Sequence, residues 1–178
     1  MKAIRLGLHT LLGAALLSAA VAAYAEKPVS TPAAPVPSAI HNAKKIFVSN
    51  AGADSGLFPS PFSGDPNRAY NQFYASLKAT NQYELVSNPS EADLVLELRL
   101  FAPYGPTNGN KVYGASDPLP DFRLVIYDRY THFVLWTLTE SIESAVGQQN
   151  HDHTFDVALM AILSDFENLS GKAPVASH

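Results

Sequence analysis

The run His151-Asp152-His153 sets two imidazoles and a carboxylate within three residues, ligand types that suit zinc, copper or nickel. On a helix, positions i and i+2 diverge by about 200°, so both imidazoles reach one ion only where the turn carrying them is not helical. Asp117 or Asp121 would have to supply a third ligand. The same two aspartates form the one pairing suited to glycoside hydrolysis, with one group as acid and the other as base or nucleophile. Both flank prolines, Pro118 and Pro120, a setting in which aspartates are usually turn formers. Gly52, Gly56 and Gly64 follow a strand and precede a helix, as a phosphate loop does. No lysine opens that helix, however, and Asp54 and Asp65 repel anions. Asn168-Leu169-Ser170 matches the glycosylation sequon but falls in a helix end. The chain has no cysteine, which excludes thiol catalysis, cysteine zinc sites and disulfides. The residue types therefore assign no position to catalysis, to a cofactor or to a metal.

The elements that would position these groups follow from periodicity. Lys45 to Asn50 reads as a first strand. Asp65-Pro66 opens a helix, with Asp65 as N-cap and Pro66 at the first helical position. Tyr70, Phe73 and Leu77 then fall on its core face, and Asn81 is a left-handed cap. Tyr83 to Ser87 is a short strand, and Asn88-Pro89-Ser90 a turn. From Ala92 to Phe101 the chain alternates, with Leu94, Leu96, Leu98 and Leu100 on one side. After loop 102–121 come strands Phe122 to Asp128 and His132 to Glu143, with Phe122, Leu124 and Ile126 sharing a face with Val134, Trp136 and Leu138. A last helix starts at Asn150-His151-Asp152, capped by Asn150 or Asp152. It buries Phe155, Leu159, Ile162, Phe166 and Leu169, and ends at Gly171.

This predicts a two-layer α+β sandwich in the order β-α-β-β-β-β-α, a mainly antiparallel five-stranded sheet with two helices on one face. Strand one is expected parallel to strand two, and the last four strands antiparallel to their neighbours. Loop 102–121 and segment 145–153 then share one end of the sheet, with loop 51–64 and the turn Arg129-Tyr130-Thr131 at the other. Tyr104, Tyr113, Asp117 and His151 would be neighbours at the end shared by loop 102–121 and segment 145–153, where a small-ligand site is expected if the protein has one.

The opposite sheet face carries Val95, Glu97, Arg99, Arg123, Val125, Tyr127, Phe133 and Leu135. That mixture is too apolar for a face meant only for water, and it reads as a partner or dimer surface, or as cross-strand pairing such as Glu97 with Arg123.

The N-terminus gives an address. Lys2 and Arg5 precede an apolar stretch from Leu6 to Val21, and Ala23-Tyr24-Ala25 supplies small residues for signal peptidase. The expected organisation is a signal peptide over 1–25, a Pro/Ala-rich linker over 26–43, one α+β domain over 44–171 and a tail over 172–178. The product is expected in the periplasm or secreted, with no membrane span after cleavage. The net charge is -4, and removing the two cations Lys2 and Arg5 leaves -6, which gives no general attraction for nucleic acid or anionic lipid.

Two segments carry a resemblance. Ser90-Glu91-Ala92-Asp93-Leu94-Val95-Leu96-Glu97-Leu98 resembles the Ala-Asp-hydrophobic start of a strand in uncharacterised bacterial envelope proteins. Asp128-Arg129-Tyr130-Thr131-His132-Phe133-Val134-Leu135-Trp136 resembles their hairpin. The layout over about residues 44–170 is similar to the small domain at the N-terminus of TolB and to related lipoprotein modules. The resemblance implies a non-catalytic envelope domain and transfers no catalytic residue. The chain departs from the lipoprotein members in lacking their anchoring cysteine. The expected function is an exported, non-enzymatic domain that binds another envelope component or a second copy through the outer sheet face. The alternatives are a small hydrolase using loop 102–121 and a metal-binding protein using His151 and His153.

Overall fold

A computed structural model describes residues 34–102 and 120–172. Within them run α1 (Ser38–Asn42), β1 (Lys45–Ala53), α2 (Arg68–Ala79), β2 (Glu84–Leu85), a 3-10 turn (Pro89–Glu91), β3 (Leu94–Phe101), β4 (Asp121–Asp128), β5 (Val134–Ser141) and α3 (Gln148–Ser170). The five strands form one sheet in the order β2-β1-β3-β4-β5. Helices α2 and α3 lie against one face of it, giving the two layers that the apolar periodicities require.

The core is the meeting of these stripes. Leu94, Leu96, Leu98 and Leu100 of β3 and Phe122, Leu124 and Ile126 of β4 are buried, as are Phe73 and Leu77 of α2 and Phe155, Ile162 and Phe166 of α3. Both helices stop at left-handed residues, Asn81 just past α2 and Gly171 at the end of α3. Asp65 accepts from the Asn67 amide at 2.7 Å, so it caps the chain's turn into α2. Gly147 precedes α3 without a side-chain cap, and Asp152, expected as a possible cap, is engaged elsewhere. The folded unit also begins earlier than position 44. Within the expected linker 26–43, α1 forms and buries Ile40 completely.

The strand order corrects the expected one. β2 contributes only Glu84 and Leu85, both paired with β1. Asn88 then accepts from the Ser90 amide, and the 3-10 turn carries the chain across the start of β1. Asp93 takes hold there: its Oδ2 accepts the amides of Lys44 and Lys45, each at 2.8 Å. β3 is thereby set beside β1 and parallel to it, not antiparallel to β2. β4 and β5 follow as antiparallel neighbours. β1, β3 and β5 thus share a direction. The end of β3, the start of β4 and the end of β5 consequently meet loop 54–64 at one end of the sheet. Placing loop 51–64 at the opposite end from loop 102–121 is therefore wrong.

A second correction concerns β5. The ladder with β4 slips by one residue between Ile126 and Tyr127. Trp136 and Leu138 stay opposite Ile126 and Leu124 on the core face as expected, but Val134 faces Tyr127 on the other side and is exposed. Leu135, expected outside, packs against the core. One extra residue exchanges the faces of its neighbours because the side-chain period of a strand is two.

Candidate interaction surface on the open sheet face

No described helix covers the sheet face opposite α2 and α3. Its side chains follow from the alternation that builds the core, and the register aligns them in rows. Phe47 of β1, Val95 of β3, Tyr127 of β4 and Val134 of β5 form an apolar row across four strands. Beside it run Ser49, Glu97, Val125 and Thr137, then Arg99, Arg123 and Thr139. The face is therefore apolar at the end bearing the β4–β5 hairpin and cationic at the other. At the hairpin itself Tyr130 is 71% exposed and Phe133 72%, which extends the apolar end outward.

The cationic end is constructed rather than incidental. Arg99 and Arg123 are directly opposite each other, an arrangement that costs stability on its own. Phe101 lies between them, its ring centroid 5.8 Å from the Arg99 guanidinium carbon and 4.8 Å from that of Arg123. Asp54 bonds Arg99 at 2.6 Å and accepts the Ala102 amide at 2.9 Å. Burial alone would raise the Asp54 carboxyl, but the Ala102 amide and the Arg99 guanidinium outweigh it and hold it below its ordinary value. Arg123 has no carboxylate partner among the described residues. At the apolar end, Tyr127 donates to Glu97 at 3.3 Å, and burial followed by that carboxylate pushes the phenol upward. The expected Glu97–Arg123 pair is not formed, because Glu97 stands opposite Val125.

Asp121, His151 and Asp152, three of the residues considered for chemistry, are put to structural use. Asp152 accepts from the Ser63 amide at 2.9 Å and pairs with Arg68, which also bonds Asp156 at 2.7 Å and lies over the Phe155 ring. This clamp ties loop 54–64 to α2 and α3. His151 packs edge-on to Phe62, with centroids 6.2 Å apart, while His153 is exposed in the same helical turn. The turn is helical, so the two imidazoles diverge, and no group of three metal-ligating residues gathers among the described residues. Asp121 accepts from the Ser141 hydroxyl at 2.7 Å. Tyr104, Tyr113 and Asp117 lie outside the described residues, as do residues 1–33 and 173–178. In the sequon, the Ser170 side chain is buried, donating to the Glu167 carbonyl and accepting from Tyr83. A groove of about 230 Å³ between α2 and α3 is lined by Gln72, Ser76, Asp156, Leu159 and Met160. No described helix is long and apolar enough to cross a membrane.

Sequence reasoning placed Val95, Glu97, Arg99, Arg123, Val125 and Tyr127 on this face and missed Phe47 and Phe101. Phe47 was within reach, since it sits between Ile46 and Val48, whose burial dictates that it point the other way.

No family model and no curated protein matches the chain. Among solved structures, the PelC dodecamer from Paraburkholderia phytofirmans is similar over 74% of this chain and 92% of its own, at 15% identity and a TM-score of 0.39. A DUF330 protein from Xanthomonas campestris is similar over 80% and 91%, at 12% identity and a TM-score of 0.44. TolB from Acinetobacter baumannii is similar over 69% of this chain and 29% of its own, at 14% identity and a TM-score of 0.32.

Proposed function

We propose that this protein is an extracytoplasmic, non-catalytic module that holds another envelope protein against the open face of its sheet. The observation carrying this reading is the graded surface, with the row Phe47, Val95, Tyr127 and Val134 at one end and Arg99 and Arg123 about Phe101 at the other. A surface of that kind fits a partner presenting apolar side chains beside carboxylates, since arginine pairs well with carboxylates and the apolar row gains from leaving water. The address rests on the leader from Lys2 to Ala25, and the lack of catalysis on the structural employment of Asp121, His151 and Asp152.

The test is capture from a bacterial envelope extract by immobilised protein, beside the double variant Val95→Glu/Val125→Glu and the variant Arg123→Glu. Specific capture by the wild-type chain that falls at least tenfold in the double variant is expected, with a smaller loss for Arg123→Glu. Equal capture by all three would overturn the assignment of the face. A screen of glycoside and ester substrates in which the protein turns one over, and loses that turnover with Asp121→Asn, would overturn the non-catalytic reading.

A further inference from the structure

The two edges of the sheet are built differently. The β2 edge is two residues long, and its Glu84 pairs with Lys45 at 3.4 Å. A short charged strand is a poor template for further pairing. β5 runs for eight residues, of which six, Trp136 to Ser141, lie in unbroken register past the slip at Leu135, and no described strand pairs with its outer side. The Ile142 amide donates to the Pro120 carbonyl, so in this antiparallel ladder the alternate residues Leu138 and Glu140 point their backbone groups at β4. The amides and carbonyls of Thr137, Thr139 and Ser141 point away from it. The β5 segment has no lysine or proline, and its one charge is Glu140 near the far end.

The side chains along this edge match it to itself. Trp136 and Leu138 face the core but remain half-buried, and no described strand flanks β5 on its outer side. The β4–β5 hairpin, at the N-terminal end of β5, carries Arg129, with Tyr130 stacked on its guanidinium, and the exposed Phe133. Glu140 and Glu143 mark the C-terminal end. A cation at one end and carboxylates at the other attract when two such strands run antiparallel, and repel when they run parallel.

We propose that a second copy of this chain docks on the β5 edge, strand against strand and antiparallel, about a two-fold axis at Thr137. In that register Thr137 meets its own mate, Trp136 of each copy lies beside Leu138 of the other, and Arg129 of each copy approaches Glu143 of the other. The two Glu140 carboxylates stand about 20 Å apart at ~3.3 Å per residue, beyond the screening length at physiological salt. The two sheets become one of ten strands. This inference concerns the edge and is independent of the occupant of the open face.

Sedimentation velocity tests it. The wild-type chain is expected to sediment as a dimer at micromolar concentration. Thr139→Pro removes an outward amide without touching the β4 ladder, and is expected to weaken association at least tenfold. Glu143→Arg is expected to weaken it and Arg129→Glu/Glu143→Arg to restore it. Val125→Glu, on the open face, is expected to leave the dimer intact. A cross-linking measurement does not depend on the proline variant folding. The chain has no cysteine, so Thr137→Cys is expected to oxidise to a covalent dimer, and Ser141→Cys, far from its mate in this register, is not. A monomeric wild-type chain overturns the proposal, as does a dimer lost with Val125→Glu but kept with Thr139→Pro, or equal cross-linking at positions 137 and 141.

Discussion

The two faces of the sheet are made by the same residues in alternation, yet they obey different rules. On the core face, Leu94 to Leu100 and Phe122 to Ile126 meet α2 and α3 and are shut away from water. On the open face, their immediate neighbours form an apolar row, a mixed row and two opposed arginines. The core face minimises exposed apolar area, whereas the open face keeps some and accepts Arg99 opposite Arg123 besides. A sheet that served stability alone would place oppositely charged residues there. The difference separates substitutions that unfold the protein from those that leave it folded.

The largest effect belongs to the centre of the core. Phe155 touches the rings of Phe58, Phe62 and Phe122 and carries the Arg68 guanidinium on its face. Phe155→Ala is expected to cost about 3–5 kcal/mol in a denaturant titration. Trp136 sits on the same face but at the edge, half-buried, and Trp136→Ala is expected to cost about 2 kcal/mol, below the range of a fully enclosed aromatic. Equal costs for the two would show that β5 is as enclosed in solution as β4.

Asp93 joins the start of β3 to the start of β1. The amides of Lys45 and Lys44 hold its carboxyl below its ordinary value against the effect of burial. Asp93→Ala is expected to cost about 1–2 kcal/mol at pH 7, as for the loss of a capping carboxylate. A depressed folded-state pKa contributes stability above the unfolded pKa of about 3.9 and loses it as pH falls through the lower folded value. The gap between wild type and Asp93→Asn in thermal midpoint should therefore narrow on acidification from pH 5 to pH 2. A gap independent of pH would show that the Asp93 carboxyl held by the Lys44 and Lys45 amides is not ionised. The smallest effect is expected on the open face: Val125→Thr should change stability by no more than ~0.5 kcal/mol. A loss above 2 kcal/mol would mean that this face is covered by something within the monomer.

Much of this was legible in the residues. The leucines from 94 to 100 can only form a strand with one buried side, and the stripe from Phe155 to Leu169 can only form a helix lying on it. The strand order was not legible, because it turns on a two-residue strand and on Asp93 reaching amides 48 and 49 positions earlier. The Ala92-Asp93 pair was recognisable as a pattern, and its physical content, a carboxylate joining two strand starts, required the fold. The exchange of Val134 and Leu135 was hidden for a related reason. A one-residue slip is set by the partner strand and leaves no trace in the period of its own. Phe101 was missed as part of the cationic end because its role depends on Arg123, which follows a loop.

The Arg68–Asp152 pair spans 84 positions, and Ser63 and Asp152 span 89. A chain emerging from the ribosome would have β1, α2 and β3 long before α3 exists to meet them. Loop 54–64 can be fastened only when Asp152 arrives, and the Tyr83 hydroxyl finds Ser170 only when α3 is complete. Contacts this distant in sequence delay closure until the final helix docks. The order of synthesis and the order of sealing are therefore reversed along α3, and a chain stopped at Asp128 would leave Phe73, Leu77 and the leucines of β3 without their lid.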